Sequence, residues 1–285
     1  MKVQIRRVKP DDAPTLGRIC FQAFKAINER HGFLPDFPSV EVATAAISGI
    51  ISRPEIYGIA AEAEGRLIGS NFLYEGSPIA GIGPITVDPD YQDQSVGRQL
   101  MEAMLQRTRE GKLPGVRLVQ AAFHNRSLSL YTKLGFQVRE PLACIRGTPI
   151  GAEMKGYRVR PLTADDLPAC DRLCSAVHGH DRSGELRYAL DRGTAHLVER
   201  DGRITGYSSI LGYVGHAVGA ANDDLKALIS AAKEFHGPGL LVPARNTEVF
   251  SWCLSMGLRV TQPMTLMTMG LYNEPQGAYL PSILY

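Results

Sequence analysis

Residues 85–105 read ITVDPDYQDQSVGRQLMEAML and combine an apolar segment, a polar segment and a helical pattern. An apolar strand ends at Val87 and a polar turn follows. Val96, Leu100 and Met104 then mark the buried stripe of a helix, because they recur at helical spacing. The stretch therefore predicts a strand that runs through a short loop directly into a helix.

The start of this helix has a chemical use. The first turn of a helix has free backbone N–H groups, and its dipole favours negative charge. The segment Gln92–Arg98 is therefore a candidate pyrophosphate site, to which Arg98 can add a cation. A plain strand–helix connection fits the same pattern. The usual nucleotide fingerprints, Gly-Lys-Ser/Thr after a glycine loop and Gly-x-Gly-x-x-Gly, do not occur in the sequence.

Composition limits the class of protein. A chain of 285 residues predicts about two domains, and 44% hydrophobic with 21% charged residues is typical of a globular protein. A net charge of +2 gives no electrostatic case for nucleic acid or an anionic membrane surface. The N-terminus alternates like a strand rather than a signal peptide, so we expect a cytoplasmic protein without a membrane partner. The five cysteines are expected to be buried, reduced thiols, and no metal site is expected.

One pattern occurs twice along the chain. IRRVKPDDAP at 5–14 recurs as VRPLTADDLP at 159–168, and EGRLIG at 64–69 recurs as DGRITG at 201–206. The first pair predicts a strand, a polar turn and a helix, and the second predicts a tight hairpin turn. A third landmark, Asn125 ahead of Gly-Phe, is echoed by Asn246 ahead of Gly-Leu. Two copies of one fold follow from three landmarks in the same order.

The repeat divides the chain into a domain at 1–146, a linker at 147–156 and a domain at 157–285. Within the first copy the pattern predicts an α/β domain whose mostly antiparallel sheet opens at its centre. The predicted strands lie at 3–8, 57–63, 66–75, 80–87, 116–123 and from Gln137 onward. The predicted helices lie at 12–27, from a Ser39 cap to Ile51, at 95–111 and at 127–134.

Two motifs resemble those of the GNAT superfamily of acetyl-CoA-dependent N-acetyltransferases, across almost all of residues 3–140. The family's loop signature, Gln/Arg-x-x-Gly-x-Gly/Ala, is matched by QDQSVG at 92–97. An Asn after the next strand, then Tyr, then Gly-Phe is matched by Asn125, Tyr131 and the pair at 135–136. The resemblance implies two tandem GNAT-like domains of α/β (α+β) class, each a mixed, mostly antiparallel sheet flanked by helices.

The resemblance also implies an activity and residue roles. Acetyl-CoA would be the co-substrate, without a metal, and a primary amine would attack its thioester directly while Tyr131 protonates the departing thiolate. Backbone amides would bind the pyrophosphate, the strand ending at Val87 would pair with the pantetheine arm, and Asn125 would position that arm. The residues implied to bind the cofactor are Ile85, Thr86, Val87, Gln92, Asp93, Gln94, Ser95, Val96, Gly97, Arg98, Asn125, Ser127 and Tyr131.

Two departures from the family pattern stand out. Ser95 takes the place of the first loop glycine, which is favoured for close approach and positive φ. The hypothesis is that Ser95 still permits binding and that its hydroxyl caps the helix. The general base is open, because residues 80–87 contain no carboxylate. Glu75, Asp88 and His124 are candidates, although Asp88 can instead stabilise its turn and His124 can simply end its strand.

The second copy lacks the loop signature, and Trp252 or Cys253 falls where Tyr131 would lie. It is therefore expected to be a degenerate domain with structural or acceptor-binding work. The stretch 31–38 is predicted to form part of the acceptor wall through Phe33 and Phe37, with anchoring in the core as the alternative. The acceptor would be a small-molecule or peptide amine, and the protein a monomer or homodimer. A non-catalytic CoA-binding sensor or assembly module is the alternative function.

Overall fold

The computed structural model describes residues 2–284, which divide into two units. The first unit holds the described residues up to Leu118 together with Phe123–Gln137. The second holds Val119–Ala122 and the residues from Val138 onward. The strand at 137–146 therefore lies almost entirely in the second unit, whereas the sequence analysis placed it in the first domain. The roles expected for the two halves stay predictions.

The first unit is a mixed sheet with helices, as predicted. Its strands follow the order β1-β2-β3-β4-β6, with β5 beside β3, and only the β4–β6 pair is parallel. The strands are β1 (Gln4–Arg7), β2 (Ile56–Ala63), β3 (Arg66–Tyr74), β4 (Ala80–Ile82), β5 (Thr86–Val87) and β6 (Gly115–Ala121), whose last residues belong to the second unit. The helices are α1 (Ala13–Arg30), α2 (Val40–Ile51), α3 (Val96–Glu110) and α4 (Asn125–Lys133).

The second unit contains two groups of paired strands. One is an antiparallel sheet of order β14-β11-β10-β9-β8, and in the other β13 lies between the end of β6 and β7, followed by β12. The strands are β7 (Gln137–Arg146), β8 (Tyr157–Pro161), β9 (His196–Arg200), β10 (Arg203–Ser208), β11 (Ala217–Gly219), β12 (Leu240–Pro243), β13 (Arg259–Gly270) and β14 (Ala278–Leu280). The helices are α5 (Leu167–His178), α6 (Ser183–Asp191), α7 (Asn222–Ala231) and α8 (Thr247–Ser255).

The first repeated landmark forms the same ion pair in both units. Arg6 donates to both oxygens of Asp12 at 2.8 and 3.0 Å, and Arg160 donates to both oxygens of Asp166 at 2.8 Å. Each carboxylate also accepts the backbone N–H three residues before it. The hydrogen bonds to arginine hold the pKa of each carboxyl below its usual range. The pair therefore fixes the first strand of each unit to the helix that follows it.

The second landmark forms the tight turn that the sequence predicted. Glu64 and Gly65 both have positive φ, of 51° and 74°, and Asp201 and Gly202 repeat this at 52° and 70°. Two consecutive left-handed residues are the signature of a type I′ hairpin turn. The turn joins β2 to β3 in one unit and β9 to β10 in the other, so the repeat is structural as well as sequential.

The cores form where the sequence pattern places them. Val96, Leu100 and Met104 of α3 are each at most 1% exposed, which confirms the stripe. Ser39 caps α2 by accepting the Val42 N–H at 3.4 Å, as predicted. All five cysteines are buried. Between 2 and 284 the structure has no helix long and apolar enough to cross a membrane.

Candidate functional site

The strand expected across residues 80–87 is interrupted at its centre. β4 ends at Ile82, the Gly83–Pro84 peptide follows, and β5 resumes at Thr86. β4 pairs with β6 over two residues, but within the described chain β5 pairs with β3 alone. β5 therefore has an open edge on the side away from β3. The backbone of an open edge can pair with an extended ligand, which is the arrangement expected for Ile85–Val87.

The loop from β5 to α3 has an unusual backbone. Asp93 and Ser95, on either side of Gln94, lie in the left-handed region at φ 63° and 61°. Left-handed residues within a loop can turn successive N–H groups into one concave anion-binding surface. Earlier in the loop, the Asp88 carboxylate accepts the Asp90 N–H at 3.1 Å, so Asp88 stabilises the turn. This backbone conformation is compatible with an anion at Gln92–Arg98, and the pyrophosphate site there stays a prediction.

The first turn of α3 offers further N–H groups. Its first intrahelical bond joins the Gln99 N–H to the Ser95 carbonyl at 3.1 Å, so residues 96–98 have no acceptor within the helix. The Ser95 side chain makes no capping hydrogen bond. The hypothesis that its hydroxyl caps the helix is therefore wrong. Ser95 is left-handed, whereas Ser39, which does cap its helix, is extended at φ −156°.

Gly97 is the second residue of α3, and the protein itself does not require a glycine there. A Cβ at this position would meet Leu130 and Val87 no closer than 3.8 Å, which is ordinary van der Waals contact. Its φ is not in the left-handed region. Glycine in a helix is less favourable than alanine by about 1 kcal/mol. Close approach of a ligand to the backbone would account for this glycine, and this role stays a prediction.

An ion pair joins this loop to α4. Arg126 Nη2 donates to Asp93 Oδ1 at 2.5 Å, and both side chains are substantially exposed. Arg126 was not among the site residues predicted from the sequence. Arg98 instead lies 3.5 Å from Glu102 on its own helix. Two arginines thus flank the N-terminus of α3, and both can contact phosphate oxygens.

His124 caps α4. Its Nδ1 accepts the Ser127 N–H at 3.2 Å, so the ring nitrogen that a base would use is occupied. Burial, with the charges of Arg126, His31 and Arg30, lowers the pKa of His124 and favours the neutral ring. Asn125, the next residue, is exposed in the first helical turn. His124 therefore has a structural role, and its assignment as a base gains no support.

Tyr131 lies inside α4 and is 5% exposed. Burial raises the pKa of its phenol to about 12, although a hydrogen bond with Ser127 acts in the opposite direction. The phenol therefore keeps its proton throughout the physiological range. A buried, protonated hydroxyl can donate to a leaving sulfur, which is the role predicted for it.

Glu75 is held by an arginine. Arg107 donates from Nε at 2.9 Å and from Nη2 at 3.1 Å, one bond to each carboxylate oxygen. This bidentate bond engages both carboxylate oxygens of Glu75. With Asp88 in its turn and His124 in its cap, each of the three base candidates is engaged elsewhere.

The two aromatic residues proposed for the acceptor wall have different surroundings. Phe33 stacks on Phe123, with ring centroids 4.2 Å apart, and Phe123 immediately precedes His124. Phe37 instead packs against Phe24 of α1 at 6.0 Å. The structure therefore brings Phe33 to the start of α4, while Phe37 anchors its loop to a helix.

The cap of α8 shows that the third repeated landmark, which aligned Asn125 with Asn246, was aligned one residue out of register. The Asn246 side chain accepts the Val249 N–H, as His124 accepts the Ser127 N–H. His124, not Asn125, is therefore the counterpart of Asn246. The same register places Cys253 opposite Tyr131, because each residue's carbonyl accepts the N–H five positions later. The second copy thus has a buried thiol where the first has a phenol.

The same alignment of the two copies shows that the charge at the helix starts is reversed between α3 and α4 in the first unit and α7 and α8 in the second. α3 begins Val-Gly-Arg and α4 begins Asn-Arg, whereas α7 begins Asn-Asp-Asp and α8 begins Thr-Glu. Asp224 is fully buried, and its carboxylate accepts the Ala221 N–H at 2.8 Å and the Thr205 hydroxyl at 2.5 Å. A cavity of about 450 Å³ at this helix start is lined by Asp223 and Glu248. Lys226 forms ion pairs with both Asp223 and Glu248, at 2.9 and 2.5 Å. Asp223, Asp224 and Glu248 still outnumber this one lysine, and the excess of negative charge disfavours a phosphate ligand in the second unit.

Residues 25–136 match the model of the acetyltransferase (GNAT) family. The chain contains a GNAT acetyltransferase domain. The match covers both predicted motifs, and it makes the chain an acyltransferase whose general activity is transfer of an acetyl group. The same family match indicates, at the level of the family, that the acetyl donor is acetyl-CoA. No curated protein matches the chain.

Solved structures share the tandem GNAT fold over nearly the whole chain. A protein from Pyrococcus horikoshii assigned as an acetyltransferase aligns with a TM-score of 0.73 at 18% identity, covering 94% of this chain and 89% of the other. A GCN5-related N-acetyltransferase from Sphaerobacter thermophilus gives 0.63 at 16% identity, with 95% and 96% covered. A tandem GNAT protein from the clavulanic acid biosynthesis pathway gives 0.55 at 14%, with 94% and 98% covered. At these identities the likeness concerns the fold.

Proposed function

We propose that the GNAT domain transfers an acetyl group from acetyl-CoA to a primary amine in one direct step. The observation that carries the proposal is the start of α3, where residues 96–98 have no acceptor within the helix and Gly97 leaves its backbone bare. A pyrophosphate held there by backbone amides, with Arg98 and Arg126 beside it, fits the charge and the space. The open edge of β5 supports pairing with the pantetheine arm.

The bound donor supplies a thioester. The amine nitrogen forms the new amide bond as the carbon–sulfur bond breaks, and the amine proton leaves to solvent. Tyr131 carries a phenol proton that it can donate to the departing sulfur, and solvent then returns a proton to the phenolate. Because Glu75, Asp88 and His124 are all engaged, the proposal assigns no side chain as base and requires the acceptor to arrive as the neutral amine.

Phe33 is proposed as an acceptor contact, and the small-molecule or peptide nature of the acceptor belongs to the same proposal. The stack with Phe123 supports this role for Phe33. Phe37 stays a weaker candidate, because its contact with α1 already accounts for it. The second unit is proposed to be structural or acceptor-binding.

The test is a turnover assay that detects free CoA thiol with acetyl-CoA and a panel of primary amines, supported by mass detection of the amide. We expect thiol release that depends on one class of amine and on its neutral form. Binding of CoA without turnover by any amine would instead favour the second candidate, a CoA-binding sensor. Two observations support that candidate: Ser95 is left-handed, and no side chain is assigned as the general base. Absence of CoA binding at millimolar ligand would reject both functions.

A further inference from the structure

The last strand of the second unit is short and almost completely buried. β14 pairs antiparallel with β11, with Ala217 opposite Leu280, Val218 opposite Tyr279 and Gly219 opposite Ala278. The three residues of β14 are 3 to 7% exposed. β14 also packs against β12, and Leu280 shares a core cluster with Leu240 and Val242 of that strand. β14 therefore fills the space between β11 and β12.

The strand that β14 covers is the counterpart of β5. Gly69 and Gly206 end the same repeated motif, and they pair with Val87 of β5 and Gly219 of β11, respectively. A loop and then a helix follow each strand, α3 in the first unit and α7 in the second. In the described chain the outer edge of β5 is open, whereas the outer edge of β11 pairs with β14.

Several contacts hold the segment around β14 in place. The Gln276 N–H donates to the Val177 carbonyl at 2.8 Å before the strand, and the Ile283 N–H donates to the Tyr213 carbonyl at 2.8 Å after it. Arg182 Nη2 donates to the Ser282 hydroxyl at 3.3 Å. Hydrogen bonds thus hold the segment on both sides of β14, as expected of a strand that permanently fills the groove between β11 and β12.

The connection between strand and helix also differs. In the first unit eight residues separate β5 from α3, while only Ala220 and Ala221 separate β11 from α7. The loop that carries the pyrophosphate segment in the first unit is therefore missing, and the buried Asp224 carboxylate accepts an N–H at the start of α7. The groove keeps its strand edge but lacks the features that suit a phosphate.

We infer that the second unit's counterpart of the donor cleft has become a groove for an extended peptide, and that residues 278–280 of the same chain are its occupant. The comparison with a donor cleft rests on the proposed function, whereas the occupancy of β11 by β14 does not. The mode is strand addition, in which main-chain hydrogen bonds hold the peptide and alternate side chains enter the core.

Hydrogen exchange on the full-length chain, with and without CoA, tests the inference directly. We expect slow exchange at 217–219 and 278–280 in both conditions, and slowing by CoA only within 85–98 and the start of α4. Fast exchange at 278–280 without ligand overturns the inference, and so does CoA-dependent slowing at 217–222. If CoA changes neither unit, the proposed donor site fails, while slow exchange at 278–280 still supports the peptide groove.

A second experiment compares full-length variants. Leu280→Asp places a charge in the core cluster, so it should lower the thermal transition and speed hydrogen exchange at 217–219. Gln276→Ala is the matched control, since that side chain is exposed, and it should leave both quantities unchanged. An unchanged transition and unchanged exchange at 217–219 in Leu280→Asp overturn the inference.

Discussion

Arg126 at the start of α4 donates a hydrogen bond to Asp93 in the loop before α3, and its counterpart in the second unit is Glu248. The ion pair itself contributes little stability, because both side chains are exposed. Its position beside the free N–H groups of α3 gives it another use. Arg126 is a cation held at the proposed phosphate site. Its counterpart Glu248 is an anion in the second unit, where α7 also begins with acidic residues.

Arg126→Gln should weaken CoA binding about tenfold, because it removes a charge-assisted hydrogen bond to phosphate. The loss should shrink at high salt, where exposed charges are screened. Calorimetric titration with CoA measures both effects. Glu248→Gln is the matched control in the second copy and should leave the affinity unchanged. Equal affinities for wild type and Arg126→Gln would remove Arg126 from the site.

Ser95→Gly should stabilise the protein and preserve or strengthen CoA binding. A left-handed non-glycine residue is strained by about 1–2 kcal/mol, and the flexibility of glycine in the unfolded chain offsets roughly half of that. Ser39→Gly is the control, because Ser39 is extended and caps α2, so its loss should destabilise by a few tenths of a kcal/mol. Chemical denaturation measures the two changes. A lower free energy of unfolding for Ser95→Gly would contradict the assignment of strain.

Gly97→Ala should separate stability from binding. The helix should gain about 1 kcal/mol, since a Cβ fits among its protein neighbours and alanine is the better helix former. CoA binding should nevertheless weaken, because the new methyl group stands where the ligand approaches. Thermal unfolding and CoA titration of one sample give both quantities. Unchanged CoA affinity would mean that the bare backbone at Gly97 serves no ligand.

Tyr131→Phe should lower kcat by about a hundredfold, the typical effect of losing a general acid, with little change in CoA affinity. Because the pKa of Tyr131 is raised to about 12, the wild-type kcat should show no alkaline decline from this group up to pH 10. The pH profile of kcat checks this point. Tyr157→Phe is the control, since it removes a phenol hydroxyl in the second unit, and it should leave kcat unchanged. An unchanged kcat in Tyr131→Phe would exclude Tyr131 from the chemistry.

Asp12→Asn and Asp166→Asn should each reduce the free energy of unfolding by about 2 kcal/mol at neutral pH, because each breaks a charge-assisted pair with arginine. The folded pKa of both carboxyls is lowered, so their contribution is present above the unfolded value of about 3.9 and is lost as the pH falls through the folded value. Denaturation between pH 7 and 3 should therefore show the difference between variant and wild type beginning to shrink as the pH falls below about 4. A constant difference down to pH 3 would contradict the assignment.

Much of the fold could be predicted because it depends on local chemistry. The repeated motif, the Glu64-Gly65 turn and the Ser39 cap each follow from residues close in sequence. The interruption of the strand at Gly83–Pro84 could not be predicted with the same certainty, since a continuous strand satisfies the same apolar pattern.

The site was predicted less completely than the fold. Assigning the cap to His124 rather than Asn125 required the hydrogen bond to Ser127, because both are polar residues at a helix start. Arg126 was missed because its partner Asp93 lies 33 residues earlier in the chain. The occupation of β11 by β14 was missed for the same reason. Long-range pairs of this kind follow from the folded backbone and not from any local pattern.

Asp224 has a consequence for how the protein responds to its surroundings. In the second unit the anion at the start of α7 is a side chain of the protein itself, the Asp224 carboxylate. In the first unit the anion at the start of α3 is proposed to be a phosphate of bound CoA, which is a diffusible metabolite. A ligand at roughly a hundred times its Kd stabilises its binding state by about 2.7 kcal/mol. The first half would then become more resistant to unfolding and proteolysis as the CoA pool rises, while the durability of the second half would stay independent of that supply.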